Sequence, residues 1–297
     1  MNDLTYIPDG PPPLAMPHKP SAALPKGACD AHCHIFGPFD RYPLPDHRSF
    51  NPCLAPESAL RKLHDSLGIE RAVIVQSQGH GLDHRPMIDA LKAGQGRYRG
   101  IALVQPDTSL QILTAYNAAG VRGIRFSFMP HLGRPNLEDV KTVVRLVKPF
   151  GWHVCIHVAG TGLLEMSDFI KSIEAEIVID HMARPDLSAD RKAKLVAEEL
   201  LRLLDTGRMW VKLSGPERLS GQGAPFADVL PFAKSLMNHA PERMLWGTDW
   251  PHVNLHGPMP DDGDLVDFLL AYATGETLRQ ILVENPQRLY GFTNFDL

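Results

Sequence analysis

The sequence predicts a single (β/α)8 barrel, and three observations carry the prediction. Eight short, apolar, β-rich runs alternate with helix-patterned stretches. At 297 residues the chain is long enough for a barrel of about 250 residues plus an extension. Residues able to do chemistry gather at the C-terminal ends of the runs, the face on which a barrel collects its loops. A doubly wound open sheet shares the alternation but gives no reason for that gathering.

Residues 1–27 are rich in proline and end in Pro25-Lys26-Gly27, so they read as an irregular arm. The arm is expected to lie over the barrel or to reach a neighbouring subunit, which leaves a homo-oligomer open. Residues 28–297 form the barrel domain. Its predicted strands are Ala28 to Ile35, Arg71 to Ser77, Arg99 to Gln105, Val121 to Ser127, Trp152 to Val158, Glu176 to His181, Arg208 to Ser214 and Arg243 to Asp249. Helical patterns such as Leu137 to Lys148, Arg191 to Asp205 and Phe226 to His239 are long enough to cross back over a parallel sheet.

Composition narrows the partners. A net charge of −4 without a run of Lys or Arg argues against nucleic acid or an anionic membrane surface as the main partner. No apolar run approaches the ~20 residues of a bilayer span, and no basic segment leads into an apolar one at the N-terminus, so a cytoplasmic enzyme is expected. Cys29, Cys33, Cys53 and Cys155 are too sparse for a disulfide framework and read as packed thiols.

In Asp30-Ala31-His32-Cys33-His34 the histidines are two apart, which on a strand sends both to one face and Cys33 to the other. Two packed or exposed histidines would give the same spacing. Three more strand ends add His157, His181 and Asp249, and four imidazoles with one carboxylate suit Zn²⁺, with Mn²⁺ or Fe²⁺ as alternatives when more oxygen ligands enter. Arg125, Arg184 and Arg218 also fall at the catalytic end. Their guanidinium forks suit a carboxylate or sulfonate, although each is also a candidate for an ordinary salt bridge. Gln78 and His80 after the second strand, His131 after the fourth and Asn254 after the eighth are further candidate substrate contacts. His252 and Asn254 follow Asp249 closely, so for both of them orientation of the aspartate competes with direct substrate contact. His153, Trp246 and Trp250 read as packing.

The segments Asp30-Ala31-His32-Cys33-His34, Gly123-Ile124-Arg125-Phe126, Asp180 to Pro185, Trp246 to His252 and Glu284 to Tyr290 resemble the lactonase branch of the amidohydrolase superfamily, from about residue 26 to the end. The resemblance implies a metal set of His32, His34, His157, His181 and Asp249, with Asp249 and His181 catalytic. One ion is expected rather than two, because Arg125 stands where a bridging Lys or Glu would be. Metal-independent members that open 2-pyrone-4,6-dicarboxylate carry Tyr at the end of the fifth strand and a second Arg six residues after the fourth-strand Arg. Here His157 and His131 stand at those places. The expected activity is therefore metal-dependent hydrolysis of a small anionic lactone. 4-Sulfomuconolactone is the first candidate, opened to maleylacetate with release of sulfite in bacterial aromatic-compound degradation. The metal-independent pyrone reaction is the alternative, and a decarboxylase or a non-catalytic binding barrel are the rivals of a different class.

Overall fold

The computed structural model describes residues 6–129, 132–255 and 257–293. Its sheet has eight parallel strands in sequence order: β1 (Cys29–Cys33), β2 (Arg71–Val75), β3 (Tyr98–Ala102), β4 (Val121–Ser127), β5 (His153–His157), β6 (Ile177–Ile179), β7 (Met209–Lys212) and β8 (Met244–Leu245). The gap between β8 and β1 is bridged by three backbone hydrogen bonds: Ala31 N to Trp246 O at 2.7 Å, Asp249 N to His32 O at 2.8 Å and His34 N to Trp250 O at 2.8 Å. The result is the predicted (β/α)8 barrel.

Helices α1 (Glu57–Leu67), α2 (Arg85–Ala93), α3 (Leu110–Ala119), α4 (Leu137–Val147), α5 (Gly162–Ser172) and α6 (Asp190–Leu204) each follow the strand of the same number. A four-residue turn, α7 (Pro216–Leu219), and α8 (Leu230–His239) lie between β7 and β8. Beyond β8 come α9 (Asp262–Leu270), α10 (Gly275–Arg279) and α11 (Asn285–Tyr290). α4 exemplifies the sequence logic. Asn136 caps it by accepting from the amides of Glu138 and Asp139, and Val140, Val143, Val144 and Val147 form one buried stripe. No helix among the described residues is long and apolar enough to cross a membrane.

Strand alternation sorts the apolar residues into two layers. Val73, Val75, Ile101, Cys155, Val178, Trp210 and Leu245 fill the barrel interior, floored by Tyr290 and Phe292. Ala72, Ile74, Ile124, Val154, Ile156, Ile177 and Val211 face the helices. Cys29, Cys33 and Cys155 are buried and free, whereas Cys53 is half-buried in a loop and donates to Gly10 O at 3.1 Å.

Several strands end earlier than predicted. β6 stops at Ile179, and His181, Met182, Ala183 and Arg184 all take positive φ in a left-handed turn. β8 stops at Leu245, and Asp249, His252 and Asn254 also have positive φ. Such conformations are uncommon without glycine and concentrate where a site needs side chains aimed off the ladder.

β1 contains the more consequential irregularity. Asp30 pairs with Ala72 but Cys33 pairs with Ile74, so β1 carries one extra residue. Before this bulge the inward residues are Cys29 and Ala31; after it Cys33 faces the helices and His32 and His34 point inward towards Asp249. Asp30 fixes the bulge: Oδ1 accepts from His32 N at 2.9 Å and Thr248 N at 3.1 Å, and Oδ2 accepts from Thr248 Oγ1 at 2.6 Å and pairs with His64 Nε2 at 3.2 Å. Gly247 passes so close that an added Cβ would lie 2.5 Å from His32 N and 2.8 Å from Asp30 Oδ1.

The arm packs on its own barrel. Asp9 accepts from the backbone and side-chain amides of Asn51 at 2.7 and 3.1 Å. Further along, the His18 ring lies 3.1 Å from Asp267, 3.3 Å from Asp261 and 3.8 Å from Asp264, all at α9. The Asp267 hydrogen bond raises the His18 pKa, with burial opposing and the other carboxylates adding to it.

Two outcomes are expected. Gly247→Ala lowers stability by about 1–3 kcal/mol in urea denaturation, since backbone rather than a flexible side chain blocks the new methyl. For His18, a raised folded pKa means that the clasp is complete below the ordinary value of about 6.5 and fades as pH rises through the raised one. An NMR titration of the His18 ring checks this: its midpoint lies above the ordinary value and falls towards it in Asp267→Asn.

Candidate active site

The site is assembled at the C-terminal mouth of the barrel around one carboxylate oxygen. Asp249 Oδ1 lies 3.6 Å from His32 Nε2, 3.6 Å from His34 Nε2 and 3.8 Å from His181 Nε2. His32, His34 and Asp249 form one group with metal-ligand spacing, and His32, Asp180 and His181 form another. His157 belongs to neither group. Its ring packs edge-on to His181 at 5.6 Å, its Nδ1 lies 3.3 Å from Ser127 Oγ, and its Nε2 is buried without a hydrogen-bond partner among the described residues.

A second set of partners aims these rings. His34 Nδ1 lies 2.7 Å from Val75 O, and because a carbonyl only accepts, that nitrogen carries the proton and Nε2 offers its lone pair to the site. His181 Nδ1 lies 2.9 Å from Ser214 Oγ. His32 Nδ1 sits between Lys212 Nζ at 3.0 Å and Asp180 Oδ1 at 3.3 Å, while its Nε2 is buried and unpartnered among the described residues. Lys212 and Asp180 are themselves paired at 3.1 Å, and Arg125 Nε donates to Asp180 Oδ2 at 2.8 Å.

Burial dominates the charge states. It pushes His181 down to about 4 despite Asp249 and Asp180 nearby, and it lowers His32 strongly, with Lys212 adding to the effect. His157 is also lowered, by burial and then by Arg125. All three are neutral imidazoles at neutral pH, the form that ligates metals. For Asp249 burial pulls upward, but Arg218 and His181 outweigh it and hold the carboxyl well below the usual range. Arg218 Nε donates to Asp249 Oδ2 at 2.6 Å, and its terminal nitrogen donates to Val253 O at 2.9 Å.

These groups open onto a cavity of about 480 Å³, a size suited to a small metabolite. His34, His157, His181 and Asp249 line its floor, with Gln78, Arg125, Arg184, Arg218 and Asn254 around the wall and Phe50, Met129, Leu132 and Val253 among its apolar lining. The candidate substrate contacts therefore separate. The Arg184 guanidinium is half-buried and has no hydrogen bond or ion pair among the described residues, so it is the free cation of the wall. Arg125 and Arg218 are already bonded to Asp180 and Asp249. His80 does not line the cavity: it stacks on Phe36, and its Nε2 accepts from Gly37 N at 3.2 Å. His131 lies outside the described residues.

Sequence reading missed Lys212, Asp180, Ser127 and Ser214. A lysine within the apolar run Met209-Trp210-Val211-Lys212-Leu213 was the available signal, since a strand of a filled barrel places few charges inside. His252 is held between Glu217 at 3.7 Å and Asp262 at 3.2 Å. Burial opposes its charge, but Asp262 with Glu217 raises it to about 10, so it is an imidazolium at neutral pH.

The donor set fits a divalent cation. Three imidazole nitrogens and a carboxylate oxygen converge, one of the nitrogens has no hydrogen-bond partner among the described residues, and each ring's other nitrogen is held by a neighbour.

Comparison with known proteins agrees with this architecture. The amidohydrolase family profile matches residues 29–292. The chain is 42% identical to a 2-pyrone-4,6-dicarboxylate hydrolase of Comamonas testosteroni, over 93% of this chain and 94% of that one. It is 38% identical to a 4-sulfomuconolactone hydrolase of Rhizobium radiobacter, over 95% and 97%. A crystal structure of an Agrobacterium tumefaciens protein superposes with a TM-score of 0.81 at 28% identity, covering 92% of this chain and 99% of that one. With the profile and both lactone-hydrolase relatives spanning nearly the whole chain, the protein belongs to the amidohydrolase family.

Proposed function

We propose that this protein is a metal-dependent hydrolase that opens a small anionic lactone, with 4-sulfomuconolactone the first substrate to test. The convergence of His32, His34 and His181 Nε2 on Asp249 Oδ1 supports the reading most directly. These four residues would hold one divalent ion, zinc or manganese, with His157 at its margin. When bound, the ion polarises a carbonyl and acidifies water.

The chain's own groups supply the rest. Asp249 is ionised, so it is the base that takes a proton from the attacking water and returns it to the ring oxygen as the ester bond breaks. Arg218 on Oδ2 keeps the carboxylate turned so that Oδ1 faces the imidazoles. His157 lines the cavity and its Nε2 has no hydrogen-bond partner among the described residues, which supports a role as donor to the lactone carbonyl. Arg184 anchors the substrate's carboxylate or sulfonate, and Gln78 and Asn254 contact its polar edge. 2-Pyrone-4,6-dicarboxylate is the second substrate to test, favoured by the 42% identity to a hydrolase of that name.

The test is metal content by elemental analysis together with ultraviolet assays of both lactones before and after chelation. About one Zn²⁺ or Mn²⁺ per chain, with activity lost on chelation and restored by metal, is expected. Metal-free protein that opens the pyrone at full rate would reject the metal-dependent reading. Arg184→Met is expected to raise KM roughly 10- to 100-fold, the worth of one charged hydrogen bond, with a smaller effect on kcat.

A further inference from the structure

Behind the cavity wall, five buried side chains of alternating charge run from the start of α9 to the site. Asp262 Oδ1 lies 3.2 Å from His252 Nε2, and His252 Nδ1 lies 3.7 Å from Glu217 Oε1. Glu217 Oε1 lies 3.6 Å from Arg218 Nε, which donates to Asp249 Oδ2 at 2.6 Å. Glu217 is the unexplained member. Its side chain is 4% exposed, it does not line the cavity, and neither carboxylate oxygen has a hydrogen-bond partner among the described residues.

A buried carboxylate without hydrogen bonds is costly unless opposite charges flank it. Here the flanking charges are the His252 imidazolium and the Arg218 guanidinium, and Arg184 is within electrostatic reach. Local structure does little to orient Arg218. It sits on the four-residue α7, which has no side-chain cap and begins after a left-handed Gly215. Without Glu217, the His252, Arg218 and Arg184 cations would face one another across the same buried space, and Arg218 would keep only its bonds to Asp249 and Val253 O against that repulsion.

We propose that Glu217 is a positioning residue for the hydrolytic reaction: clamped by His252 and Asp262, it holds Arg218 on Asp249 Oδ2 and so fixes the direction in which Oδ1 faces. Arg218 and Asp249 line the cavity, whereas Glu217 does not. This inference rests on the reading of Asp249 as the base.

The experiment is a double-mutant cycle of E217Q and R218K, using whichever of 4-sulfomuconolactone and 2-pyrone-4,6-dicarboxylate the wild-type protein opens, with the Arg218 Nε–H signal followed by ¹⁵N NMR. E217Q is expected to lower kcat roughly 10- to 100-fold with little change in KM, as removal of an outer partner does. The double variant should be no slower than R218K alone, and the Arg218 Nε–H signal should shift or broaden in E217Q. Additive losses, a wild-type kcat in E217Q, or an unmoved Arg218 signal would overturn the proposal. If E217Q does not fold, D262N disturbs the far end of the chain without touching Arg218 and is read the same way. If wild-type protein opens neither lactone, the proposed substrates fall, while the NMR signal still decides whether Glu217 holds Arg218.

Discussion

The active site depends on the extra residue in β1 and on the Asp30 carboxylate that holds it. Before the bulge the interior side chains are odd-numbered, and strict alternation would carry that series on to Cys33. The bulge reverses the phase and turns His32 and His34 inward. Asp30 bonds backbone on both sides of the barrel's closing seam, so the irregularity that makes the site also joins the last strand to the first. Gly247 is small because that seam leaves no room for a methyl.

Around this frame, charge is arranged so that burial and pairing act in opposite directions on different groups. His32 and His181 at Asp249 are stripped of water and left neutral. The carboxylates are buried equally but remain ionised because Arg218, Lys212 and Arg125 lie against them. Low dielectric strengthens both effects, and water-exposed copies of the same residues would keep ordinary acidities. The three wall arginines consequently differ in duty. Arg125 and Arg218 serve carboxylates of the protein, whereas Arg184 lines the cavity with no hydrogen bond or ion pair among the described residues.

Much of the fold was legible in sequence because barrel strands and amphipathic helices announce themselves locally. β4 occurs over the residues predicted for it, and α4 and α6 begin and end within a residue of their predicted limits. α8 starts four residues later than its apolar pattern suggested. Strand C-termini were over-extended at β6 and β8: Asp180-His181 and Trp246 to Asp249 have already left the ladder, with His181 and Asp249 themselves at positive φ. Periodicity reports which residues dislike water, and it carries no information about the φ angle at which a strand is abandoned.

The sequence by itself determined the alternation that builds a barrel and the residue types His32, His34, His157, His181 and Asp249 at its catalytic rim. Tertiary structure decided which atoms of those residues meet. It gathered three imidazoles on Asp249 Oδ1 while leaving His157 to the side, and it turned His80 away onto Phe36. It also brought Lys212 to Asp180 and Glu217 to His252, pairs more than thirty residues apart in the chain. The physical reason is range: hydrophobic period is a property of neighbours in sequence, whereas the direction and charge of a buried side chain are set by whatever the closed barrel packs against it.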